Sequence, residues 1–284
     1  QAAFAWVLQF QNRTQPEGGL VELGVFKGKS AVVMGNHLRP GEVFTACDLF
    51  DDIETDAAAD PNEQRFFKTQ SLTQAEFERN YLAFHRELPR IVRGPTGTIT
   101  RHVAPRSARF VHIDAGHTYP LVREDTASAR AILREGGVVV FDDYRKAGAM
   151  GCAAAVWEAV LNEGLRPIAN TDFKLYATWG DPEPYQRDIA ARAAEDADTT
   201  VTPDDLRAWI AANGDIPDNA CVAMHSGWGA KVETDGFRNF DGEMQHYPGF
   251  HVEAAQMLME ETGASSIAVD TLSLDHGPSA DQSL

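Results

Sequence analysis

Apolar runs that end in small or acidic residues recur through the first two thirds of the chain, and amphipathic segments of helical length separate them. Strands are predicted at residues 19–25, 43–47, 90–93, 109–114 and 137–141. Helices are predicted at residues 29–38, 73–87, 120–134 and 150–163. Two closer strands, near 167–170 and 173–179, predict a terminal antiparallel hairpin. This alternation predicts an α/β fold with a doubly wound, Rossmann-like parallel sheet.

Composition and charge divide the chain. Lys and Arg total 25 against 42 Asp and Glu, for a net charge of −17, which disfavours a nucleic-acid partner. Residues 196–284 hold 16 of the acidic and 3 of the basic residues, so the acidic excess lies in the last third. We therefore predict a first domain at 1–186, a polar, alanine-rich linker at 187–201 and a smaller α/β fragment at 202–284.

The three cysteines have no paired spacing, and no apolar run approaches the length of a membrane span. These features predict a cytoplasmic protein without a disulfide framework, a zinc ribbon or a membrane partner.

A glycine-rich cluster follows the first strand in the run VELGVFKGKS. Gly24 and Gly28 would let the backbone approach a ligand, and the next helix would offer free N–H groups to an anion such as the carboxylate of an amino-acid-like cofactor. Asp48 ends the following strand, where an acid commonly holds ribose hydroxyls. The motif alone is also compatible with a tight turn.

Three carboxylates follow the later strands: Asp114 ends one, and Asp142 and Asp143 end the next. Such carboxylates repel one another unless they are protonated or neutralised by a cation, and oxygen ligands suit Mg²⁺ or a similar ion. His117, on the loop after Asp114, would be within reach of a bound acceptor. The alternative is that the paired aspartates cap the next segment and that His117 is a surface residue.

On these motifs, residues 19–180 resemble class I S-adenosylmethionine-dependent O-methyltransferases, in the branch with catechol-type and macrocin- and cephamycin-type enzymes. The resemblance implies a methyltransferase sheet, S-adenosylmethionine as cofactor, a divalent cation and a small-molecule hydroxyl as methyl acceptor. His117 stands where catechol-type members have a basic lysine, which makes it the candidate base. The implied metal ligands are Asp114, Asp142 and Asp143, and the implied cofactor contacts are Glu22, Gly24, Gly28, Ser30, Asp48 and Asp114.

The resemblance has one departure, because only a short segment precedes Val21 where relatives carry N-terminal helices that close over the substrate. The acceptor pocket is expected from the loops at residues 50–67 and 144–150, whose sequences do not identify the acceptor.

Residues 202–284 read as helix, strand, loop, helix and strand, and resemble the middle of the cyclase family of metal-dependent hydrolases, relatives of kynurenine formamidase. The landmarks are Ser226-Gly227-Trp228, Pro248-Gly249, the helix at Val252–Glu261 and Asp270-Thr271. The family's metal signature, His-x-Gly-Thr-His-x-Asp, does not occur in the sequence.

Two hypotheses follow for this fragment. In the first, the chain is a methyltransferase with a non-catalytic appendage that serves as an interaction module. In the second, it is a fusion or truncated protein whose last part belongs to a cyclase or formamidase-type hydrolase. A partial domain exposes apolar surface, so we expect it to pack on the first domain or to form a homo-oligomer.

Overall fold

The computed structural model describes residues 2–51, 65, 69–70, 72–171 and 173–279, with the side chains of 193–196 left aside. Most of the predicted acceptor loop at 50–67 lies outside these residues. Two compact units are present, Gln1–Ile189 and Ala190–Leu284. The division falls inside the segment predicted as a linker, which is helical up to Ala197.

A seven-stranded sheet forms the centre of the first unit, in the order β3-β2-β1-β4-β5-β7-β6. All neighbours from β3 to β5 are parallel, whereas β7 pairs antiparallel with both β5 and β6. This confirms the predicted doubly wound sheet with its antiparallel hairpin. The strands are β1 (Gly19–Leu23), β2 (Phe44–Asp48), β3 (Arg90–Arg93), β4 (Ala108–Ile113), β5 (Leu133–Phe141), β6 (Arg166–Asn170) and β7 (Leu175–Thr178).

Helices cover both faces of this sheet. They are α1 (Ala2–Thr14), α2 (Lys29–Gly35), α3 (Gln74–Leu82), α4 (Tyr119–Ile132), α5 (Met150–Asn162) and α6 (Glu183–Ala197). Successive strand residues point to opposite faces, so β4 sends Phe110 to a core with α1, α2 and α3, and Val111 to a core with α4 and α5. Both faces are buried, as expected for parallel strands.

Helix α1 was not predicted, and it corrects the expectation that little structure precedes β1. Phe4, Val7 and Leu8 occupy one face at helical spacing and are at most 3% exposed. Gln11 continues that face and donates to the carbonyl oxygen of Arg109 at 2.7 Å.

Two predicted helices are too long at their C-terminal ends. Helix α2 ends at Gly35 rather than at residue 38, and the carbonyl of His37 instead accepts a hydrogen bond from Arg109 Nη2 at 2.8 Å. Helix α3 ends at Leu82 rather than at 87, where the ring of His85 lies 2.9 Å from the carbonyl oxygen of Val32. Turn-like backbone hydrogen bonds continue for a few residues past both ends, and the tertiary contacts of His37 and His85 begin there.

The second unit has the predicted succession of elements around a small core. Two short parallel pairs, β10 with β8 and β11 with β9, flank the helices. Helix α8 buries Ala254, Met257 and Leu258 as its inner face, whereas Ala255 is only half-buried. The elements are β8 (Thr200–Val201), α7 (Pro203–Asn213), β9 (Cys221–Met224), β10 (Gly249–Phe250), α8 (Val252–Glu261) and β11 (Ser266–Val269).

No helix in the described part of the chain has the length and apolar character needed to cross a bilayer.

Candidate active site

A cavity of about 580 Å³ opens at the carboxyl ends of the parallel strands. In open α/β sheets this edge is where ligands bind. The loop from β1 to α2, the ends of β4 and β5, the β6–β7 turn and α1 all contribute to its wall. Apolar and charged groups line it together: Phe4, Val25, Phe26, Lys29, Ser30, Val33, Asp114, Asp142, Asp143, Lys146, Thr171, Phe173, Lys174 and Tyr176.

The glycines of the first motif shape the loop that faces this cavity. Gly24 has φ +84°, and a Cβ there would lie 2.2 Å from the carbonyl oxygen of Asp114, so its absence lets the ends of β1 and β4 meet. Gly28, with φ +91°, is the residue before α2. Between them, Val25 and Phe26 turn toward the cavity, and Ser30 follows on α2.

Asp48, the predicted ribose-binding acid, holds this loop in place. Its Oδ2 accepts from the backbone N–H groups of Val25 at 2.7 Å and Phe26 at 3.1 Å, and its Oδ1 accepts from that of Phe50 at 2.7 Å. Burial raises the pKa of Asp48, although these N–H donors oppose the shift. The acid therefore connects the end of β2 to the glycine loop.

Behind the cavity wall, Glu22 and His112 form a fully buried pair between β1 and β4, where the strand register sets them side by side. His112 Nδ1 lies 2.8 Å from Glu22 Oε1. Burial, and then the nearby Lys174, lower the pKa of His112. The other carboxylate oxygen, Glu22 Oε2, is buried without a hydrogen-bond partner among the described residues.

Asp114, Asp142 and Lys174 meet at the floor of the cavity. The Lys174 ammonium forms an ion pair with Asp142 Oδ2 and lies 2.9 Å from His112 Nε2. Although burial opposes it, Lys174 lowers the pKa of Asp142. Burial and the adjacent Asp142 raise the pKa of Asp114 well above its usual range. The charge of Lys174 thus relieves the repulsion between the two carboxylates.

Asp143 is engaged elsewhere, although it also lines the cavity. Its Oδ2 lies 2.9 Å from His117 Nε2 and 2.6 Å from Lys146 Nζ. Against the effect of burial, these two partners lower the pKa of Asp143 to about 2. His117 itself is 14% exposed, lies behind Asp143 and is not part of the cavity wall.

The structure therefore gathers most of the predicted residues but changes one grouping. The side chains whose donor atoms converge within 4.8 Å of one another are His112, Asp114 and Asp142, whereas the predicted metal set has Asp143 in place of His112. Asp143 differs because His117 and Lys146 both contact its Oδ2. The sequence reasoning missed His112 and Lys174. A signal for His112 was present, because it is a polar residue inside an apolar strand, as Glu22 is in the neighbouring strand.

The second unit has four histidines, His225, His246, His251 and His276, and none of them belongs to the cluster of metal-ligand type found among the described residues. His246 lies between two carboxylates, with Nδ1 2.9 Å from Asp198 Oδ2 and Nε2 3.1 Å from Asp241 Oδ2. His251 accepts from the N–H of Glu253 at the start of α8. Asp270, a cyclase landmark, accepts from the backbone N–H and the hydroxyl of Ser226.

Two family models match the chain. Residues 21–144 match a model described as a methyltransferase domain, and residues 185–276 match one described as a putative cyclase. Curated proteins give no match.

Among solved structures, the O-methyltransferase NovP is similar at 19% identity and a TM-score of 0.51, over 63% of this chain and 79% of that chain. An O-methyltransferase from Bacillus cereus, in complex with SAH, has 13% identity and a TM-score of 0.43 over 63% and 80%. Isatin hydrolase A from Ralstonia solanacearum has 32% identity and a TM-score of 0.30, over 33% of this chain and 36% of that one.

These matches agree with the resemblances drawn from the motifs. The methyltransferase-domain match lies within the first unit, and the putative-cyclase match lies mainly within the second.

Proposed function

With the methyltransferase domain as premise, we propose that the first unit transfers a methyl group from S-adenosylmethionine to the hydroxyl of a small molecule in the cavity at the strand ends. The observation that carries this proposal is the joint wall of that cavity, where the β1–α2 loop of the cofactor motif faces the acids after β4 and β5. The similarity to NovP supports the fold of this site.

The chain fits the cofactor in two respects. The glycine loop brings backbone to the cavity edge where side chains would collide. Glu22, paired with His112 behind the cavity wall, joins the ends of β1 and β4 at which the cofactor would bind. In this proposal Glu22, Gly24, Gly28, Ser30, Asp48 and Asp114 hold the cofactor. Bound S-adenosylmethionine supplies an activated methyl group on a sulfonium.

The proton of the acceptor hydroxyl needs a base, and we assign that role to His117 acting together with Asp143, which faces the cavity while His117 lies behind it. Imidazole is the side chain whose unperturbed pKa suits proton transfer near neutrality. Asp143 contacts the ring through Nε2 and faces the cavity, so it orients His117 and stabilises the imidazolium that proton transfer creates.

Divalent-cation assistance by Mg²⁺ or a similar ion stays a prediction from the resemblance. The side chains at the site supply one observation in its favour and one against it. His112, Asp114 and Asp142 offer suitable atoms. The Lys174 ammonium, however, already contacts two of these three residues. We therefore derive no catalytic step through a metal.

A panel of small phenols and hydroxylated sugars, assayed for methylation with labelled S-adenosylmethionine, tests the activity. His117→Gln should lower kcat about 100-fold or more, the usual contribution of a general base, and leave cofactor affinity unchanged. His102→Gln is the control, because His117 pairs with Asp143 of the cavity wall whereas His102 lies at the other cavity of this unit, with Glu42 and Arg90. Equal rates for His117→Gln and wild type would remove His117 from the mechanism.

For the second unit, we propose an interaction role without hydrolysis. Hydrolytic metal sites need about three protein ligands and an activated water. Within the part of the chain that the structure describes, the cluster of metal-ligand type lies in the first unit. Formamidase activity of the full chain with added Zn²⁺ or Mn²⁺, lost in His225→Ala or His276→Ala, would instead support the hydrolase hypothesis.

A further inference from the structure

Lys174 reaches the floor of the cavity from the turn between β6 and β7. Its ammonium contacts Asp142 and His112 and lies 5.7 Å from the centre of the Phe4 ring. The side chain is 21% exposed, so it is largely enclosed by these groups. Its backbone N–H donates to Thr171 Oγ1 at 3.2 Å, which holds the turn that presents it.

The hydrogen bonds around His112 determine what faces Lys174. An ammonium can only donate, so His112 Nε2 accepts from Lys174 and the ring proton stands on Nδ1, 2.8 Å from Glu22 Oε1. The lone pair of Nε2 is then directed to Lys174, 2.9 Å away, which donates to it. That lone pair is the one through which His112 would coordinate a metal.

The ammonium and a metal would compete for the same place. His112 Nε2 and Asp142 Oδ2 are 3.9 Å apart, a spacing that an ion with bonds of about 2 Å could span. The Lys174 ammonium already bridges these two atoms. A metal bound to both would overlap it, and two cations at such a distance would repel strongly.

The charges at the strand ends are also balanced by side chains. Lys174 neutralises Asp142, and His117 and Lys146 both contact Asp143. A divalent ion is predicted here because these carboxylates need a counter-charge. The chain provides that charge from its own residues.

We propose that Lys174 is the resident cation of this site, and that its ammonium takes the position between His112, Asp114 and Asp142 that a divalent ion would occupy. As a positioning residue, it holds Asp142 and His112 and keeps a positive charge at the floor of the cavity. The effect of Lys174 on catalysis rests on the proposed methyl transfer. The competition between Lys174 and a metal ion for the same place does not rest on it.

Mn²⁺ binding to the full chain, measured by electron paramagnetic resonance, tests this inference. Wild type should bind no Mn²⁺ at this cluster, so Asp142→Asn should leave any Mn²⁺ binding by the wild-type chain unchanged. Lys174→Met, which frees the His112 lone pair and the Asp142 carboxylate, should gain a Mn²⁺ site at least about tenfold tighter than any binding by wild type. Adding Asp142→Asn to that variant should abolish the gain. Lys146→Met is the matched control, because it removes a cavity lysine outside the cluster and should gain nothing.

Two results would overturn the inference: a wild-type Mn²⁺ site that Asp142→Asn removes, or no gain in a folded Lys174→Met. Lys174→Ala provides a second variant if the methionine fails to fold, as judged by thermal melting. Binding of S-adenosylhomocysteine is measured in parallel, so failure of the proposed function shows as absent cofactor binding. In the methylation assay, EDTA should leave the wild-type rate unchanged and Lys174→Met should lower kcat about tenfold.

Discussion

Gly24 lets the glycine loop lie against the end of β4, because its Cα hydrogen faces the backbone of Asp114, where any side chain would collide. The close approach explains the residue without reference to a ligand. The motif glycine therefore has a structural role in bringing two strand ends together, and the cavity is a consequence of that contact.

Gly24→Ala should destabilise the fold by about 3 kcal/mol, since it adds a strained positive φ and a backbone clash. We also expect affinity for S-adenosylhomocysteine to fall about tenfold or more. Urea unfolding and calorimetry measure the two effects. Gly148→Ala is the control, as its Cβ would meet no atom within 4 Å. Wild-type stability in Gly24→Ala would contradict the close approach.

A second buried charge cluster lies at the opposite edge of the sheet. Arg109 and Glu42 have fully buried side chains and form two parallel hydrogen bonds of 2.8 Å. Although burial opposes it, Arg109 and Arg39 lower the pKa of Glu42 to about 2 from 4.5. A carboxyl with a depressed folded pKa stabilises the protein above pH 4.5, and this stabilisation is lost as the pH falls toward 2.

The pair should contribute about 3 kcal/mol near neutrality through this shift. Glu42→Gln should therefore be less stable than wild type at pH 6, and the difference should shrink between pH 4.5 and 2. Urea titrations at pH 6, 4 and 3 provide the measurement. A difference that stays constant with pH would show that charge does not carry the effect.

Among the elements, α1 connects the core to the cavity. Phe4 packs edge-on against Phe110 and His112, with ring centres 5.1 Å apart in both cases, and it also lines the cavity. The helix thus packs against the ring of the buried histidine.

Phe4→Ala should lower the free energy of unfolding by about 3–5 kcal/mol, the usual result of removing a buried phenyl ring. Phe84→Ala, at a position 71% exposed, should change it by about 0.5 kcal/mol or less. Equal losses in the two variants would contradict the packing of α1.

Sequence patterns predicted the sheet well because long apolar runs ending in acids have few alternatives, as β4 and β5 illustrate. The same patterns missed α1, which lies in the short segment before β1. They also missed Lys174, since a lysine on a turn carries no periodic signal and its role arises only when the hairpin folds over Asp142. The sequence shows that Asp114, Asp142 and Asp143 follow the ends of β4 and β5. It does not show which neighbouring side chains contact each carboxylate.

At the scale of the whole molecule, the two units divide the chemistry. Both sheet cores and the cavity wall lie within the first unit, whereas the second has its own small core around α8. The acidic surplus belongs mainly to the second unit, which carries the cyclase-family match.

A chain ending after Asp198 should therefore bind S-adenosylhomocysteine with an affinity within about twofold of the full chain. The reason is that no residue lining the cavity is removed. Calorimetry compares the two proteins, and size-exclusion chromatography reports whether oligomeric state changes with loss of the second unit. A truncated chain that folds but no longer binds would show that the second unit takes part in the site.

Calorimetric titration of S-adenosylhomocysteine into the full chain tests the central claim most directly. The account predicts one site per chain, weakened about tenfold or more in Asp48→Ala because the carboxylate that holds the glycine loop is lost. Asp51→Ala removes a nearby exposed acid paired with Arg93 and should bind as wild type does. No binding by wild type, or equal binding by wild type and a folded Asp48→Ala, would contradict the assignment of the cofactor to this cavity.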